Sequence, residues 1–298
     1  MRVLVTGGTG FIGRATVKRL TALGNECIVV SRDPGRAATL GLPPGSSFIK
    51  DVSAAPQVDA AVLLAGETAA GLWTKRKRAA IFSSRVDGTR RVVDWMRSSP
   101  RRPQVLVSAS AVGYYGHRPG ETLDETSAPD PTAGFRSRVC LRWEAEALRA
   151  NELGVRTVVS RFGIVLGVEG GLLADLLRLH RLRLSFVLGN PGTFVSWVAL
   201  DDAVAFIQRA LEDASFSGPV NVVAPTATTQ GEFTAAVADA VGSRVVGRLP
   251  AWLLRATLGE LSSAVLNDEH VVPSVALAAG FRFAEMDLHA YLRRILSR

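Results

Sequence analysis

The sequence predicts an α/β protein built on a doubly wound parallel sheet, followed by a smaller C-terminal domain. In its first half, short apolar runs rich in β-branched residues alternate with longer helical stretches, a pattern typical of a parallel sheet covered by helices. A glycine-rich turn separates the first of these runs from the first helical stretch. Runs such as 62–65 are apolar at every position, as a sheet buried between two helical layers requires.

Each element of the first half follows from a local pattern. Short apolar runs predict strands at 2–6, 26–31, 47–51, 60–65, 104–108 and 156–161. Longer stretches with apolar residues three and four positions apart predict helices at 12–23, 75–96 and 135–152. The helix from Lys75 carries Ile81, Val86 and Val93 on one face, which is therefore the face expected to pack on the sheet.

The second half is less regular than the first. It predicts helices at 201–211 and 230–241, a strand at 219–224, a Pro-, Trp- and Leu-rich segment at 249–266 and a final helix. We expect the strand near Asn221 to join the main sheet, giving six or seven parallel strands. The smaller unit is expected to form from 167–195 and the chain after Pro225, facing the carboxyl edge of the sheet across a cleft.

Composition excludes several classes of protein. The chain has 298 residues, 47% of them apolar, and 35 Lys and Arg against 27 Asp and Glu, a net charge of +8. This charge favours anionic partners, but the basic residues are scattered and no nucleic-acid-binding motif is present. No apolar run reaches the ~18 residues of a membrane-spanning helix. The two cysteines match no metal or disulfide pattern, so we expect no metal and a reducing, cytoplasmic location.

The glycine-rich turn is the strongest motif in the sequence. Gly7, Gly10 and Gly13 follow an apolar strand directly and open a helix, with Thr9, Phe11 and Ile12 between them. The first glycine permits a tight turn, the second lets a pyrophosphate approach backbone N–H groups, and the third lets helix and strand pack closely. The helix dipole also favours an anion here. The motif therefore predicts a Rossmann-type dinucleotide site.

The end of the second strand indicates which dinucleotide is bound. Ser31 and Arg32 stand about where an NAD-selective site places an acid, and an Arg there suits the 2′-phosphate of NADP instead. The neighbouring Asp33 weakens this reading, and Arg32 as a solvated loop residue is the alternative. We expect 1–165 to form an NADP-binding domain, to which about 194–224 returns, and 166–298 to form the substrate domain.

Several stretches resemble the extended short-chain dehydrogenases/reductases, and in particular an atypical branch of them. This branch is the epimerase family protein group, which is NAD-dependent epimerase/dehydratase-like and has a small C-terminal domain. The matching stretches are the glycine turn, Leu64-Ala65-Gly66, Ser84-Arg85-Val86, 108–116, 143–147, 161–167, 196–198, Asp201-Asp202, 249–260 and Gly280-Phe281. The likeness covers essentially the whole chain.

The resemblance also implies which residues contact the cofactor. They are Thr9 to Ile12, Ser31, Arg32, Leu64, Ala65, Arg85 and the strand around Leu166. Asp51 stands where many relatives have an Asp that meets the adenine. The alternative for Asp51 is a strand-end residue that caps a turn.

The catalytic residues of the family are mostly missing. Typical members use a Ser, an Asn and a Tyr-x-x-x-Lys pair, in which the Lys lowers the pKa of the Tyr so that it exchanges a proton with substrate. Ser110 matches the Ser. Counting back from Glu144 puts Cys140 at the Lys place and Arg136 at the Tyr place, and Arg85 occupies the Asn place. The standard proton-transfer groups are therefore absent.

The remaining candidates for catalysis are Ser110 and Tyr115, at the carboxyl end of a predicted strand. Each has an alternative role that is not catalytic. Ser110 would hydrogen-bond to the backbone at the end of the strand, and Tyr115 or the adjacent Tyr114 would pack on the nicotinamide or line the cleft. Ala199 stands where the branch usually has a His, and His117 is taken as a surface or packing residue.

The leading hypothesis for function is an NADP-dependent oxidoreductase, or an epimerase or dehydratase, acting on a small molecule. The alternatives are a non-redox isomerase or cyclase on the same fold, and a non-enzymatic NADP-binding regulatory protein. A homodimer is left open.

Overall fold

The computed structural model describes residues 1–130, 132, 134–179 and 184–296. Its strands are β1 (Arg2–Thr6), β2 (Glu26–Val30), β3 (Ser46–Ile49), β4 (Ala60–Leu63), β5 (Val105–Ala111), β6 (Thr122–Leu123), β7 (Arg156–Phe162), β8 (Ile164–Leu166), β9 (Leu184–Leu188), β10 (Trp197–Ala199), β11 (Gly218–Val222), β12 (Arg244–Leu249) and β13 (His270–Val271). Its helices are α1 (Phe11–Ala22), α2 (Pro34–Ala38), α3 (Lys75–Ser98), α4 (Phe135–Leu148), α5 (Gly171–Leu179), α6 (Leu200–Glu212), α7 (Gln230–Ala240), α8 (Ala251–Leu258), α9 (Ser263–Leu266), α10 (Ser274–Ala278) and α11 (Leu288–Leu296).

Seven of the strands form one parallel sheet, in the order β11-β7-β5-β4-β1-β2-β3. This confirms the predicted fold class, and the strand containing Asn221 pairs with β7 as expected. The strand order reverses between β1 and β4, so the crevice at this point opens beyond the carboxyl ends of both strands. In open α/β sheets this is where ligands bind.

Two helical layers cover the sheet and explain its apolar strands. Val107 of β5 packs in one cluster with Val17 of α1 and Phe206 of α6, whereas the preceding Leu106 packs in another with Val93 and Met96 of α3. Because side chains alternate along a strand, both faces of β5 are buried and both must be apolar. Among the described residues, no helix combines the length and apolar character needed to cross a bilayer.

Apart from α6 and β11, which join the main sheet, most of the chain after β7 builds a second, smaller layer beyond the carboxyl edge of the sheet. β8 and β10 form a parallel pair, as do β9 and β12. Trp197 of β10, Phe233 of α7 and Leu292 of α11 form the centre of a separate apolar cluster. The Tyr291 hydroxyl donates to the carbonyl of Leu166 at 2.6 Å, which fixes the last helix to the end of β8.

Two element boundaries differ by three residues or more from those expected. β5 runs to Ala111, three residues beyond its predicted end, because Ser108 and Ser110 continue the ladder with β7. The polar Ser-Ala-Ser-Ala stretch did not have the apolar character that marks a strand. The helix predicted to reach 152 ends at Leu148 and continues as a 3₁₀ turn to Leu153, before Gly154 at φ +75°.

The paired acids at the start of α6 differ sharply in environment. Asp202 is buried and accepts hydrogen bonds from the N–H groups of Ala284 (2.8 Å) and Glu285 (3.0 Å). Burial raises the pKa of Asp202, and these two donors oppose that effect. The neighbouring Asp201 is exposed. Asp202 therefore joins α6 to the C-terminal chain, and Asp201 does not.

We expect Asp202→Ala to lower the free energy of unfolding by about 2 kcal/mol, because two hydrogen bonds to a charged group are lost. Asp201→Ala is the matched control and should cost under about 1 kcal/mol, the usual effect of an exposed acid at a helix N-terminus. Urea denaturation of both variants measures the difference. Equal losses would contradict the assignment of Asp202 as a tie between the two parts of the chain.

Candidate cofactor and substrate site

The glycine loop is packed so closely that side chains are excluded from it. Gly7 has φ +72°, and a Cβ there would lie 2.5 Å from the carbonyl carbon of Leu64. A Cβ on Gly13 would overlap the carbonyl oxygen of Gly7. The loop therefore lies against the end of β4, and α1 starts immediately after it.

The start of α1 is left open for an anion. Gly10 is its exposed N-cap, no side chain caps the helix, and its first turn contains no acid. The first N–H groups of a helix lack intrahelical acceptors, and here they face the crevice between β1 and β4 together with the positive end of the dipole. The loop residues Thr9 and Ile12 are half-buried beside it. This cradle fits a dinucleotide pyrophosphate.

The segment after β2 presents an exposed cation. Arg32 is exposed, whereas the neighbouring Asp33 is used as the cap of α2, accepting from the Arg36 N–H at 3.0 Å. The Ser31 hydroxyl donates to the Asp33 carbonyl and accepts from its N–H. The Asp33 carboxylate is thus occupied as a helix cap. It therefore no longer counts against Arg32 as the residue that meets the 2′-phosphate of NADP. Asp51 likewise caps the 3₁₀ turn Val52–Ala54, and its bonds with Ser53 lower the pKa of its carboxyl group.

Arg85 lies beside the segment that follows β4. A Cβ on Gly66 would be 3.0 Å from its guanidinium carbon, and the ring of Trp143 lies 5.4 Å from that carbon on another side. Arg85 donates to the Glu67 carbonyl at 3.0 Å, and burial lowers its pKa. The carboxylate of Glu67 accepts a hydrogen bond from Lys77 Nζ at 2.7 Å. Arg85 therefore places its own positive charge at the edge of the crevice, near the half-buried residues Leu64 and Ala65.

The Glu67 carboxylate also shows that the separate basic residues share one region. Its hydrogen bond with Lys77 is the main reason why its pKa is lowered, and the charges of Arg32 and Arg85 add to the effect. Arg32 and Arg85 follow different strands, and the topology brings them to one end of the sheet.

Phe11 and Leu166 serve mainly to pack α1 against the turn after β8. The Phe11 ring fills the space above Gly167, Gly170 and Gly171, where any Cβ would come within about 3 Å of it. The Leu166 side chain is fully buried. These contacts hold the start of α1 in a fixed position relative to the second half of the chain.

The structure does not place Ser110 and Tyr115 in the cleft, contrary to the sequence expectation. Ser110 is 3% exposed and donates to Glu144 Oε1 at 2.6 Å. Tyr115 is 0% exposed, donates to Asn221 Oδ1 at 2.8 Å and accepts from Arg161 Nη1 at 3.0 Å. Burial raises the pKa of Tyr115 to about 12. Both hydroxyls therefore act inside the fold, and we withdraw them as groups that contact substrate.

These hydroxyls belong to a buried ion-pair network that the sequence analysis missed. Arg161 of β7 makes a bidentate pair with Glu144 of α4, at 2.9 Å from Nε and 2.8 Å from Nη2, and its guanidinium lies 3.5 Å from the centre of the Tyr114 ring. Burial opposes the charge, but the bonds and charge of Glu144 outweigh it and raise the pKa of Arg161. An Arg near the carboxyl end of a strand predicted to lie inside the sheet was the available signal, because a buried Arg needs an acid as partner.

Cys140, at the Lys place, does not replace the missing base. Its thiol is buried beside the backbone of Ala111, and burial raises its pKa to about 11. At neutral pH it therefore stays a neutral thiol and neither lowers the pKa of a neighbour nor attacks a substrate. His117 accepts a hydrogen bond from the Asp268 N–H, and His270 stacks on Phe194 at 4.3 Å, so both have packing roles.

A cavity of about 310 Å³ opens where the two halves of the chain meet. One side is lined by Ala111 and Phe162, the last residues of β5 and β7, and by Val112 and Gly163, which follow them. The rest of the described wall is mostly apolar and comes from the second half of the chain. Because side chains alternate along β5, Ala111 faces this cavity while Ser110 points to α4.

One end of the cavity is polar. Arg136 of α4 donates to Glu269 Oε1 at 3.0 Å and to the carbonyl of Ser263 at 2.9 Å. Asn267 donates to the same oxygen of Glu269. The residue at the family's Tyr place is therefore a guanidinium, held by an acid 133 positions away in sequence. No motif or spacing in the sequence indicated that Arg136 and Glu269 would form an ion pair.

A parallel sheet with an anion cradle at its switch point and a cavity beyond its carboxyl edge defines a dinucleotide-binding protein of the short-chain dehydrogenase/reductase type. The model of the NAD dependent epimerase/dehydratase family matches residues 3–223, and the chain belongs to this family. Residues 249–295 match a domain of unknown function, DUF1731. The resemblance stated from the sequence is thus confirmed.

Individual relatives extend over the whole chain. Epimerase family protein YfhF of Bacillus subtilis is 31% identical, over 100% of this chain and 98% of the relative. The crystal structure of human epimerase family protein SDR39U1 with NADPH has a TM-score of 0.90 and 33% identity, covering 100% of both chains. A nucleoside-diphosphate sugar epimerase from Corynebacterium glutamicum has a TM-score of 0.75 and 28% identity, over 99% of this chain and 58% of that one.

We expect Tyr115→Phe to lower the free energy of unfolding by about 1–3 kcal/mol, because Arg161 and Asn221 would each lose a buried hydrogen-bond partner. NADPH affinity should not change. The matched control is Tyr114→Phe, which keeps the ring that lies over Arg161 and should cost under about 0.5 kcal/mol. Denaturant titration and calorimetry measure the two quantities. A Tyr115→Phe protein with unchanged stability and lost turnover would restore Tyr115 as a catalytic acid.

Proposed function

We propose that this protein is an NADP(H)-dependent oxidoreductase that acts on a small carbonyl compound or the corresponding alcohol. The observation that carries the proposal is the position of the cavity. It lies beyond the ends of β5 and β7, at the same sheet edge as the anion cradle of α1, and it has a single guanidinium, that of Arg136, among its described lining residues. The structure of the human relative with NADPH supports the choice of cofactor.

The chain offers a distinct group for each part of the cofactor. The N–H groups at the start of α1 would hold the pyrophosphate, Arg32 the 2′-phosphate, and the segment Leu64–Gly66 with Arg85 the sugar and ring beyond. When bound, NADPH supplies a hydride to the substrate carbon, and water supplies the proton that completes the alcohol or saturated ketone.

Arg136 acts by charge rather than by proton transfer. A guanidinium stays protonated at any working pH, so it cannot serve as the acid that the family's Tyr provides. It does stabilise negative charge as it develops on a carbonyl oxygen, and Glu269 fixes its orientation beforehand. The mostly apolar wall lowers the local dielectric constant and so strengthens this interaction.

A second candidate function is nucleotide binding without turnover, as in a regulatory protein. The burial of Tyr115 favours it, as does the replacement of the family's Tyr and Lys by Arg136 and Cys140. The two candidates share the cofactor site and differ only in whether NADPH is consumed. A non-redox isomerase would likewise leave NADPH unconsumed but would convert a substrate.

Cofactor choice is tested at Arg32. We expect NADPH to bind about tenfold or more tighter than NADH, because a charge-assisted bond to the 2′-phosphate is worth about 1.5–3 kcal/mol. Arg32→Ala should remove most of this difference and leave NADH affinity unchanged. Arg282→Ala, another exposed Arg, is the matched control. Calorimetry with both cofactors decides, and equal affinities in the unmutated protein would contradict the proposal.

Turnover is tested at Arg136. Simple ketones and aldehydes should be reduced slowly, because general acid catalysis worth about 10²–10⁴ in rate is missing. Conjugated carbonyl compounds should react faster, since charge stabilisation by Arg136 then suffices. The double variant Arg136→Met/Glu269→Gln should lose a further ~10²–10³ in kcat. NADPH oxidation at 340 nm is the measurement. Fast reduction of simple aldehydes, unaffected in this variant, would refute the role given to Arg136.

A further inference from the structure

The cavity wall is apolar well beyond what a nucleotide sugar would require. Its apolar lining includes Phe162, Ile164, Leu176, Phe194, Phe233 and Val237. Its volume of about 310 Å³ lies at the small end of the ~300–1,000 Å³ typical of ligand sites. Such a wall stabilises a bound hydrocarbon through the hydrophobic effect. It provides few hydrogen-bond partners for sugar hydroxyls.

The hydroxyl groups in the described wall are already engaged. The Ser185 hydroxyl is bonded to that of Ser243 at 2.6 Å, Thr234 donates to the carbonyl of Gln230, and Ser196 donates to the carbonyl of Glu269. These bonds use the donor protons of Thr234 and Ser196, so their hydroxyls meet a sugar as acceptors and not as donors. Most of the other described lining side chains are apolar and offer a polyol no hydrogen bond.

The apolar lining continues to the mouth of the cavity. Leu184 and Phe186 both line it and are 48% and 40% exposed, so hydrocarbon surface reaches solvent at this rim. Val245 and Val246, on the paired strand β12, are exposed as well. Apolar side chains gathered at one opening mark an entrance for an apolar ligand.

The polar end has room for one oxygen acceptor. Arg136 Nη1 donates to the carbonyl of Ser263 and to Glu269 Oε1, and its Nη2 makes a long hydrogen bond to Glu269 Oε2. Its Nε–H, beside Gly113, makes no hydrogen bond within the part of the chain that the structure describes. Because Glu269 balances its charge, this end suits a neutral carbonyl oxygen better than an anion.

We infer that the substrate is a hydrophobic ketone or enone, with a hydrocarbon body in the apolar wall and its carbonyl oxygen on Arg136, rather than a nucleotide sugar. This inference rests on the proposed function, since it assigns the substrate to the same cavity. It separates this chain from the sugar-nucleotide epimerases that share its fold, although the relative with that description is 28% identical.

The test is a binding assay that needs no turnover. The fluorescent probe 1-anilinonaphthalene-8-sulfonate is bound to the protein and displaced by methyl ketones from 2-hexanone to 2-decanone, or by UDP-glucose. We expect affinity to rise about fourfold per added methylene until the cavity is full. UDP-glucose should not displace the probe. Displacement by UDP-glucose, or ketone affinity that is independent of chain length, would overturn the inference.

Two pairs of variants locate the binding. Leu184→Asn should weaken the longer ketones about three- to tenfold, whereas Leu277→Asn, equally exposed at 48% but outside the cavity, should have no effect. Arg136→Met/Glu269→Gln should abolish the preference for 2-heptanone over heptane. Arg136→Lys, which keeps the charge, should retain part of it. Equal effects of the two Leu variants would place the ketones elsewhere and overturn the inference.

The outcome also separates this inference from the proposed function. Ketones that bind as expected but do not lead to NADPH oxidation would leave the apolar substrate site standing and refute the oxidoreductase. NADP⁺ reduction with UDP-glucose, together with displacement of the probe by it, would support an oxidoreductase and refute the hydrophobic substrate.

Discussion

The buried pair of Arg161 and Glu144 is the constraint on which the site depends. Taking two charges out of water costs several kcal/mol per ion unless each is fully bonded. The structure meets this requirement with neighbours from other elements, since Ser110 of β5 donates to Glu144, and Tyr115 links Arg161 to Asn221 of β11. One network thereby joins three strands of the sheet to α4. Removing either charge would leave the other unpaired, so the position of α4 is fixed tightly.

The position of α4 in turn determines what the cavity contains. Arg136 and Glu144 lie eight residues apart on this helix, one at the cavity and one beneath the sheet edge. The same helix that carries the family's Tyr and Lys is therefore anchored here by an ion pair and presents a guanidinium instead. Two members of the network, Ser110 and Tyr115, were the catalytic candidates from the sequence. A hydroxyl near the end of a strand gives the same sequence pattern whether it binds substrate or a buried charge.

The fold was predictable from the sequence, and the site only in part. Apolar runs and glycine spacing depend on neighbours in sequence, so the sheet and the cradle around Gly7 followed from them directly. The catalytic candidates depended on alternation, in which one residue decides the face, and Ser110 falls on the opposite face from Ala111. Glu269 was out of reach, because its partner Arg136 lies in a helix 133 positions away and Glu269 itself stands just before the two-residue strand β13, which gives no periodic signal.

An Arg that is oriented by a Glu does different chemistry from a Tyr whose pKa is lowered by a Lys. The phenol gives up a proton and must recover it, so its use depends on a pKa near the working pH. The guanidinium of Arg136 acts instead as a fixed positive charge, and it contributes to the rate because the negative charge on the substrate oxygen is greater in the transition state than in the ground state. Such a site favours substrates in which conjugation spreads that developing charge, as in the enolate formed from an enone. The mostly apolar described wall strengthens the interaction, which makes the apolar cavity and the single guanidinium of its described lining parts of one arrangement.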